Sequence, residues 1–349
     1  MLIQVNARNR TCSFDGNDKE SMLHSGLRHG IDLPYECSTG TCGTCKAKLI
    51  EGKLYDPWPQ APGYKYLKRE QGEFLMCQSV PRTDAVVEVA NFVYSMDPGA
   101  CLPQRLFGTV RTARALTRDV IHLDIEPDKP MDFEAGQFVA LAVPGVPGYR
   151  GYSMVNFERR AKRLQFVVKK KPQGGISEWL FDSRHRIEGA IVDLFGPLGH
   201  ATFYPNLQQN ILAIAGGSGI AGMMSILARA AQERYFDQYR GDLFFGVRTC
   251  ADAFFLDELA GFASQFPGKL EIVVALSDEP VPPEAAARHP ALVFEQGLVH
   301  EVAARRMKDK WRNIRAYLAG PPPAVDAAIR MLIVQAKLTT DNIVYDKFS

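Results

Sequence analysis

Four cysteines carry the most specific chemistry in this chain. Cys37, Cys42 and Cys45 stand in the run PYECSTGTCGTC with the spacing C-x4-C-x2-C, and Cys77 follows downstream in FLMCQS. Four thiols so spaced match the ligand set of a [2Fe–2S] cluster, a one-electron carrier. The intervening Ser38-Thr39-Gly40-Thr41 is built of small residues that let the backbone curl and aim N–H groups at sulfur. Gly40 and Gly43 reach a left-handed backbone at little steric cost. Zinc competes, because C-x2-C is half of a zinc knuckle, but a second closely spaced pair is missing. A disulfide framework fits poorly with seven cysteines and an N-terminus that does not read as a signal peptide.

Two glycine-rich runs point to nucleotide phosphates. Gly216-Gly217-Ser218-Gly219-Ile220-Ala221-Gly222 lies between an apolar strand pattern and a helical one, and Gly217, Gly219 and Gly222 spell G-x-G-x-x-G. Glycines there let a dinucleotide approach the backbone at a helix N-terminus. The acidic residue of the Rossmann pattern is missing from the end of the next strand, where Arg248 and Thr249 stand instead. Upstream, Arg150-Gly151-Tyr152-Ser153 offers a planar cation, a stacking face and a hydroxyl, and Gly174-Gly175-Ile176-Ser177 opens a second potential phosphate nest. Each run alone is also compatible with an ordinary turn or strand end.

The elements that must position these residues fall into three blocks. Residues 1–96 read as a hairpin, a short helix ending at Gly30, the cysteine loop and further strands, a β-grasp pattern in under a hundred residues. Residues 97–103, with two prolines and a glycine, read as a linker. Residues 104–207 give β-rich runs at the spacing of a small antiparallel barrel, with a helix only at ISEWLFDSR. Residues 208–349 alternate strand and helix, which predicts a doubly wound parallel sheet that binds ligands beyond its strand C-termini. The expected fold class is therefore multidomain, α+β followed by α/β.

At 349 residues, 46% hydrophobic and 23% charged with net charge +2, the composition is that of a soluble globular chain. Near-neutral charge leaves no electrostatic footprint for nucleic acid. No run approaches the ~20 apolar residues of a membrane span, and unpaired thiols suit a reducing compartment, so a cytoplasmic location is expected. His24, His29, His122, His185, His200, His289 and His300 are scattered and read as surface or packing residues. Cys12, Cys101 and Cys250 read as small packing residues.

Taken in order, the motifs resemble those of reductases from multicomponent bacterial oxygenases, in which a plant-type ferredoxin is joined to a ferredoxin–NADP reductase-like FAD and NAD module. RGYS is similar to that family's flavin motif, GGIS to its pyrophosphate loop, GGSGIAG to its nucleotide loop, LAGPPPAVDA to its C-G-P-P segment and YDKF to its C-terminal end. The stretch LYDPWPQAPGYKYLKREQGEFLMCQ is similar to reductases of toluene monooxygenase systems. The resemblance covers essentially the whole chain. It implies cluster ligation by Cys37, Cys42, Cys45 and Cys77. For FAD it implies Arg150 on the pyrophosphate, Tyr152 against the isoalloxazine, and Ser153 near its N5. Gly151, Val168 and Lys169 lie along the same flavin, and Gly174, Gly175, Ile176 and Ser177 cradle phosphate. For NADH it implies Gly217, Ser218, Gly219, Arg248, Ala319, Gly320 and Pro321. Phe348 would cover the flavin and Asp346 lie nearby, the two standing with Ser153 as the catalytic group.

Two departures stand out. Gly222 replaces the usual proline, which should loosen the helix start, and Ala319 replaces the cysteine before G-P-P, which should keep the shape but slow hydride transfer. The implied activity runs from NADH through FAD and the cluster to a terminal oxygenase or its Rieske or ferredoxin component. The chain is expected to be a monomer that docks its partner at the cysteine loop. Arg248 leaves NADPH open as donor. A nucleotide-binding sensor without rapid turnover and a reductase for a membrane-bound hydroxylase are the competing readings.

Overall fold

A computed structural model describes residues 1–182, 184 and 186–347. The N-terminal region is a five-stranded sheet in the order Thr11–Asp15, Leu2–Ala7, Ala85–Val89, Lys46–Glu51, Glu73–Leu75. The first two strands form the expected hairpin, with Val5 opposite Cys12, and Leu2–Ala7 then pairs in parallel with Ala85–Val89. The alternation in LIQVNA buries Ile3 and Val5 on one face. Helix Met22–Arg28 packs Leu23 and Leu27 onto that face. Its start is capped by the Ser21 hydroxyl, which accepts the His24 N–H at 3.2 Å. Its end is followed by Gly30 at φ +72°.

Residues 97–103 contain no helix or strand. A six-stranded, wholly antiparallel sheet follows in the order Arg150–Ser153, Phe138–Ala142, Ile191–Leu198, Gln104–Thr117, Val120–Pro127, Leu164–Lys169, coiled into a barrel-like unit. A short helix, Gly175–Phe181, lies beyond the last of these strands.

The C-terminal region holds six parallel strands ordered Val293–Gln296, Leu270–Leu276, Gly241–Val247, Asn210–Gly216, Ile314–Gly320, Ile343–Lys347. Its first strand in sequence lies at the centre, so the strand order reverses between Asn210–Gly216 and Ile314–Gly320. In open α/β sheets the crevice at such a switch point is where ligands bind. Val293–Gln296 and the helix Pro283–Arg288 before it extend the alternation read from sequence. Helix Ile220–Gln232 begins regularly two residues before Gly222, so the missing proline does not delay it.

The ferredoxin-like and barrel regions share one core. Phe138, Ala140, Phe195 and Leu198 of the barrel are buried together with Leu33, Tyr35 and Cys45. His24 stacks on Phe195 with centroids 3.8 Å apart and rings 5° from parallel. The Gly199 N–H donates to the Tyr35 hydroxyl at 2.9 Å.

Candidate functional site

The docking of the three regions leaves a cavity of about 900 Å³ at the switch point of the parallel sheet. Cys37, Thr39, Thr41 and Trp58 line it from the first region, Arg150, Tyr152, Ser153 and Gly174–Ser177 from the barrel, and Gly217, Ser218, Arg248, Gly320 and Asp346 from the third. Residues as distant in sequence as Cys37 and Asp346 thus line one cavity.

The cysteine loop is shaped by three left-handed residues, Ser38, Gly40 and Gly43. The Thr39 and Cys42 N–H groups each point at Cys37 Sγ at 3.4 Å. Cys45 Sγ and Cys77 Sγ stand 3.2 Å apart, with the Gln78 amide 3.5 Å from Cys77. The Cys42 thiol, Thr41 and Thr39 hold the Cys37 thiol down to about 4 against the burial that opposes them. Burial pushes Cys77 well up. The sulfurs therefore fall into two pairs, Cys37 with Cys42 and Cys45 with Cys77. Among the described residues no group of three or more candidate ligands is arranged around a single ion. A binuclear cluster needs two thiolates on each of two irons, so paired sulfurs ringed by N–H donors fit that group better than one tetrahedral zinc.

The loop is less exposed than the sequence suggested. Cys45 and Cys77 are buried, Cys37 faces the cavity, and Thr44 is the exposed residue beside them. The Cys42–Thr44 side is the part of the loop left toward solvent.

On the barrel, Arg150–Ser153 pairs antiparallel with Phe138–Ala142, so Tyr152 is set opposite Val139 and Ser153 opposite Phe138. Arg150 is half-buried, donates to the Tyr149 carbonyl at 2.9 Å, and has no carboxylate partner among the described residues. A desolvated guanidinium without a counter-charge is an open anion site. Ser153 Oγ is buried and has no hydrogen-bond partner among the described residues. The Ser177 hydroxyl braces its own turn, accepting the Lys171 N–H at 3.0 Å. The first-turn N–H groups of Gly175, Ile176 and Ser177 lack intrahelical acceptors. A cation, an orphaned hydroxyl and a nest of N–H groups suit a flavin dinucleotide. Lys169 lines this wall, but Val168 points into the barrel core, and its neighbour Val167 reaches the cavity instead. Alternation along the strand decides between them.

In the third region Gly217 and Ser218 line the cavity, with Gly320 and Pro321 beside them. Gly219 does not. A Cβ there would lie 2.4 Å from the Ala319 carbonyl oxygen, so this glycine lets the loop close onto the neighbouring strand. Ala319 is likewise buried behind the wall. Arg248 lies on the wall, and an acidic residue follows four positions on. Asp252, buried by the turn Cys250–Asp252, sits 3.8 Å from Arg248 Nε and 3.6 Å from Arg118 of the barrel. The Thr249 hydroxyl donates to the same carboxylate at 2.9 Å. Asp346 opens onto the cavity but is packed by protein on its other sides. Burial, reinforced by the Glu36 charge, pushes its carboxyl up to about 7. Phe348 lies outside the described residues. His24 is not a surface residue: burial holds it neutral, near 3, and its Nε2 lies 3.0 Å from the Ser38 hydroxyl in the cysteine loop.

Family models agree with this division of labour. The 2Fe-2S iron-sulfur cluster binding domain matches residues 5–82, the oxidoreductase FAD-binding domain 108–203 and the oxidoreductase NAD-binding domain 213–330. The chain is 34% identical over 336 residues to a ferredoxin–NAD(P)+ reductase of Metapseudomonas resinovorans, covering 94% of each chain. It is also 34% identical to the ferredoxin–NAD+ reductase component of the alkene monooxygenase system of Xanthobacter autotrophicus, covering 96% of this chain and 98% of that one. The solved ferredoxin reductase of carbazole 1,9a-dioxygenase superposes with a TM-score of 0.83 at 31% identity, covering 100% of this chain and 99% of that one. Among the described residues no helix is long and apolar enough to cross a membrane. Cysteine quartet, flavin strand and nucleotide loop therefore meet in one chain of known kind: it belongs to the family of ferredoxin–NAD(P)+ reductases of oxygenase systems, oxidoreductases that join a 2Fe-2S domain to FAD- and NAD-binding domains.

Proposed function

We propose that this chain takes electrons from NADH and delivers them singly to the terminal oxygenase, or its Rieske or ferredoxin component, of a bacterial aromatic or hydrocarbon hydroxylating system. The observation that carries the reading is the shared cavity, which is lined by Cys37, the Arg150–Ser153 strand and the Gly217 loop together. When bound, FAD accepts two electrons together and releases them one at a time, which matches a two-electron nicotinamide to a one-electron cluster. Cys37, Cys42, Cys45 and Cys77 would hold the cluster. Arg150 and the N–H groups of Gly175, Ile176 and Ser177 would hold the flavin pyrophosphate, Tyr152 would flank the ring, and the Ser153 hydroxyl is free to bond to it. Gly217, Ser218, Gly320 and Pro321 would seat the nicotinamide nucleotide, and Asp346 would keep a proton available near neutral pH.

Asp252 favours NADH over NADPH. Its carboxylate, shared with Arg118, engages Arg248 at 3.8 Å and makes that guanidinium less available to a 2′-phosphate. The domains are taken as 1–96, 104–207 and 208–349 joined by 97–103, in a cytoplasmic monomer that meets its partner on the Cys42–Thr44 side of the cluster loop. Anaerobic purification with iron, sulfide and flavin quantification tests the core of the reading, because four thiolate ligands in two pairs require about two irons per chain. A preparation without them overturns it. For the donor, kcat/KM is expected to favour NADH, and Asp252→Asn to narrow the gap. A native preference for NADPH would refute the assignment.

A further inference from the structure

Trp58 stands in the ferredoxin region yet lines the cavity beside Arg150. Its ring lies under the Arg150 guanidinium, 4.3 Å from carbon to ring centroid. The approach is close and two-sided. Gly148, two residues before Arg150, faces the same ring, and a Cβ there would stand 2.4 Å from the indole. The loop that presents the tryptophan is itself tied down. The Trp58 N–H donates to Asp56 Oδ1 at 2.9 Å, and the Trp58 carbonyl accepts the Ala61 N–H at 3.0 Å.

A guanidinium binds oxygen anions through its edge and aromatic rings through its face, so the two contacts do not compete. Arg150 has no carboxylate partner among the described residues, and the Tyr149 carbonyl accepts one of its Nη1–H groups at 2.9 Å. The indole restrains the guanidinium plane from its face, leaving the other N–H groups of the edge for an anion. We propose that Trp58 is a flavin-site residue contributed across the domain boundary, a positioning residue that holds Arg150 for the FAD pyrophosphate. It follows that FAD binding and docking of the ferredoxin region reinforce one another, since each is favoured when the indole is seated.

The inference rests on FAD being the dinucleotide of this cavity, and its test separates the two claims. FAD dissociation constants are measured by flavin fluorescence on the full-length, deflavinated, iron-loaded chain, for wild type, Trp58→Leu and Trp58→Phe. Leucine keeps apolar bulk without a π face, whereas phenylalanine keeps a face. Trp58→Leu is expected to weaken FAD about fivefold, the scale of a partly desolvated cation–π contact. Trp58→Phe should lose less, with iron content unchanged in both. In an Arg150→Lys background, where the planar stack is already gone, Trp58→Leu should change FAD affinity by less than about twofold. Equal affinity in wild type and Trp58→Leu, or an undiminished loss in the lysine background, overturns the role of Trp58. Failure of the wild-type chain to take up FAD overturns the flavin reading, and the proposal with it.

Discussion

Asp346 offers the sharpest test of the cavity's electrostatics. Its carboxyl is pushed from an ordinary 3.8 to about 7, first by burial and then by the charge of Glu36. A raised carboxyl pKa means the folded chain holds the proton more tightly than the unfolded one. The ionisation penalty is therefore absent below about pH 4, grows between pH 4 and 7, and is complete above that. Holding the carboxyl near 7 disfavours its ionised form by roughly 4 kcal/mol as a ceiling. Because the side chain opens onto the cavity, water screens part of this, and about 2 kcal/mol is the working figure. Asp346→Asn is isosteric with the protonated acid and cannot ionise. In the flavin-free chain it should nearly match wild type at about pH 3.5, where both folded and unfolded carboxyls are largely protonated, and be more stable at pH 8 by that amount, a Tm gain of several degrees. Glu36→Gln should recover the smaller part of the gain. Thermal unfolding at about pH 3.5, 5 and 8 reads the difference directly. A gap of the same size at about pH 3.5 and pH 8 would mean that asparagine acts through packing, and would refute the argument.

Two neighbouring glycines should behave in opposite ways. Gly219→Ala forces a Cβ into the Ala319 carbonyl, a backbone group that cannot rotate aside, and should cost about 3 kcal/mol along with most NADH affinity. Gly217→Ala meets open space at φ +54° and should cost only about 1 kcal/mol; equal losses in unfolding scans would contradict the contrast. Tyr35→Phe removes the acceptor of the Gly199 N–H at the boundary between the ferredoxin-like region and the barrel, worth about 1–2 kcal/mol. Limited proteolysis within 97–103 should then run several-fold faster, and an unchanged cleavage rate would show that this bond does not hold the two regions together.

Much of this architecture is legible because its signals are local. The C-x4-C-x2-C spacing fixes the loop, and the alternation in LIQVNA and the apolar runs ILAIAGG and IRAYLAG mark strands without reference to anything distant. What sequence does not disclose is side-chain aim and long-range company. Val167 rather than Val168 reaches the cavity because the strand's register is set by its partner Val120–Pro127. Asp252 escapes a search for an acid at the strand end because a short turn, not the strand, brings it back to Arg248. Val293–Gln296 is hidden by its brevity and by the prolines before it. Trp58 and Arg150 are separated by the last part of the ferredoxin region, the linker and the first three barrel strands, so neither spacing nor periodicity joins them. His24 reads as one of seven scattered histidines until Phe195 and Ser38 are seen on either side of it.

The apolar face formed by Phe138, Phe195 and Leu198 has a consequence for how this chain can be divided. Buried beneath Tyr35, His24 and their neighbours, these side chains belong structurally to the ferredoxin region although the barrel encodes them. A fragment beginning at residue 104 would present them bare to water and should self-associate. A fragment ending at residue 96 would leave His24 without its stacking partner and the cysteine loop with one side uncovered. The seam is thus a place where neither half of this chain is finished, and the unit to engineer is the pair.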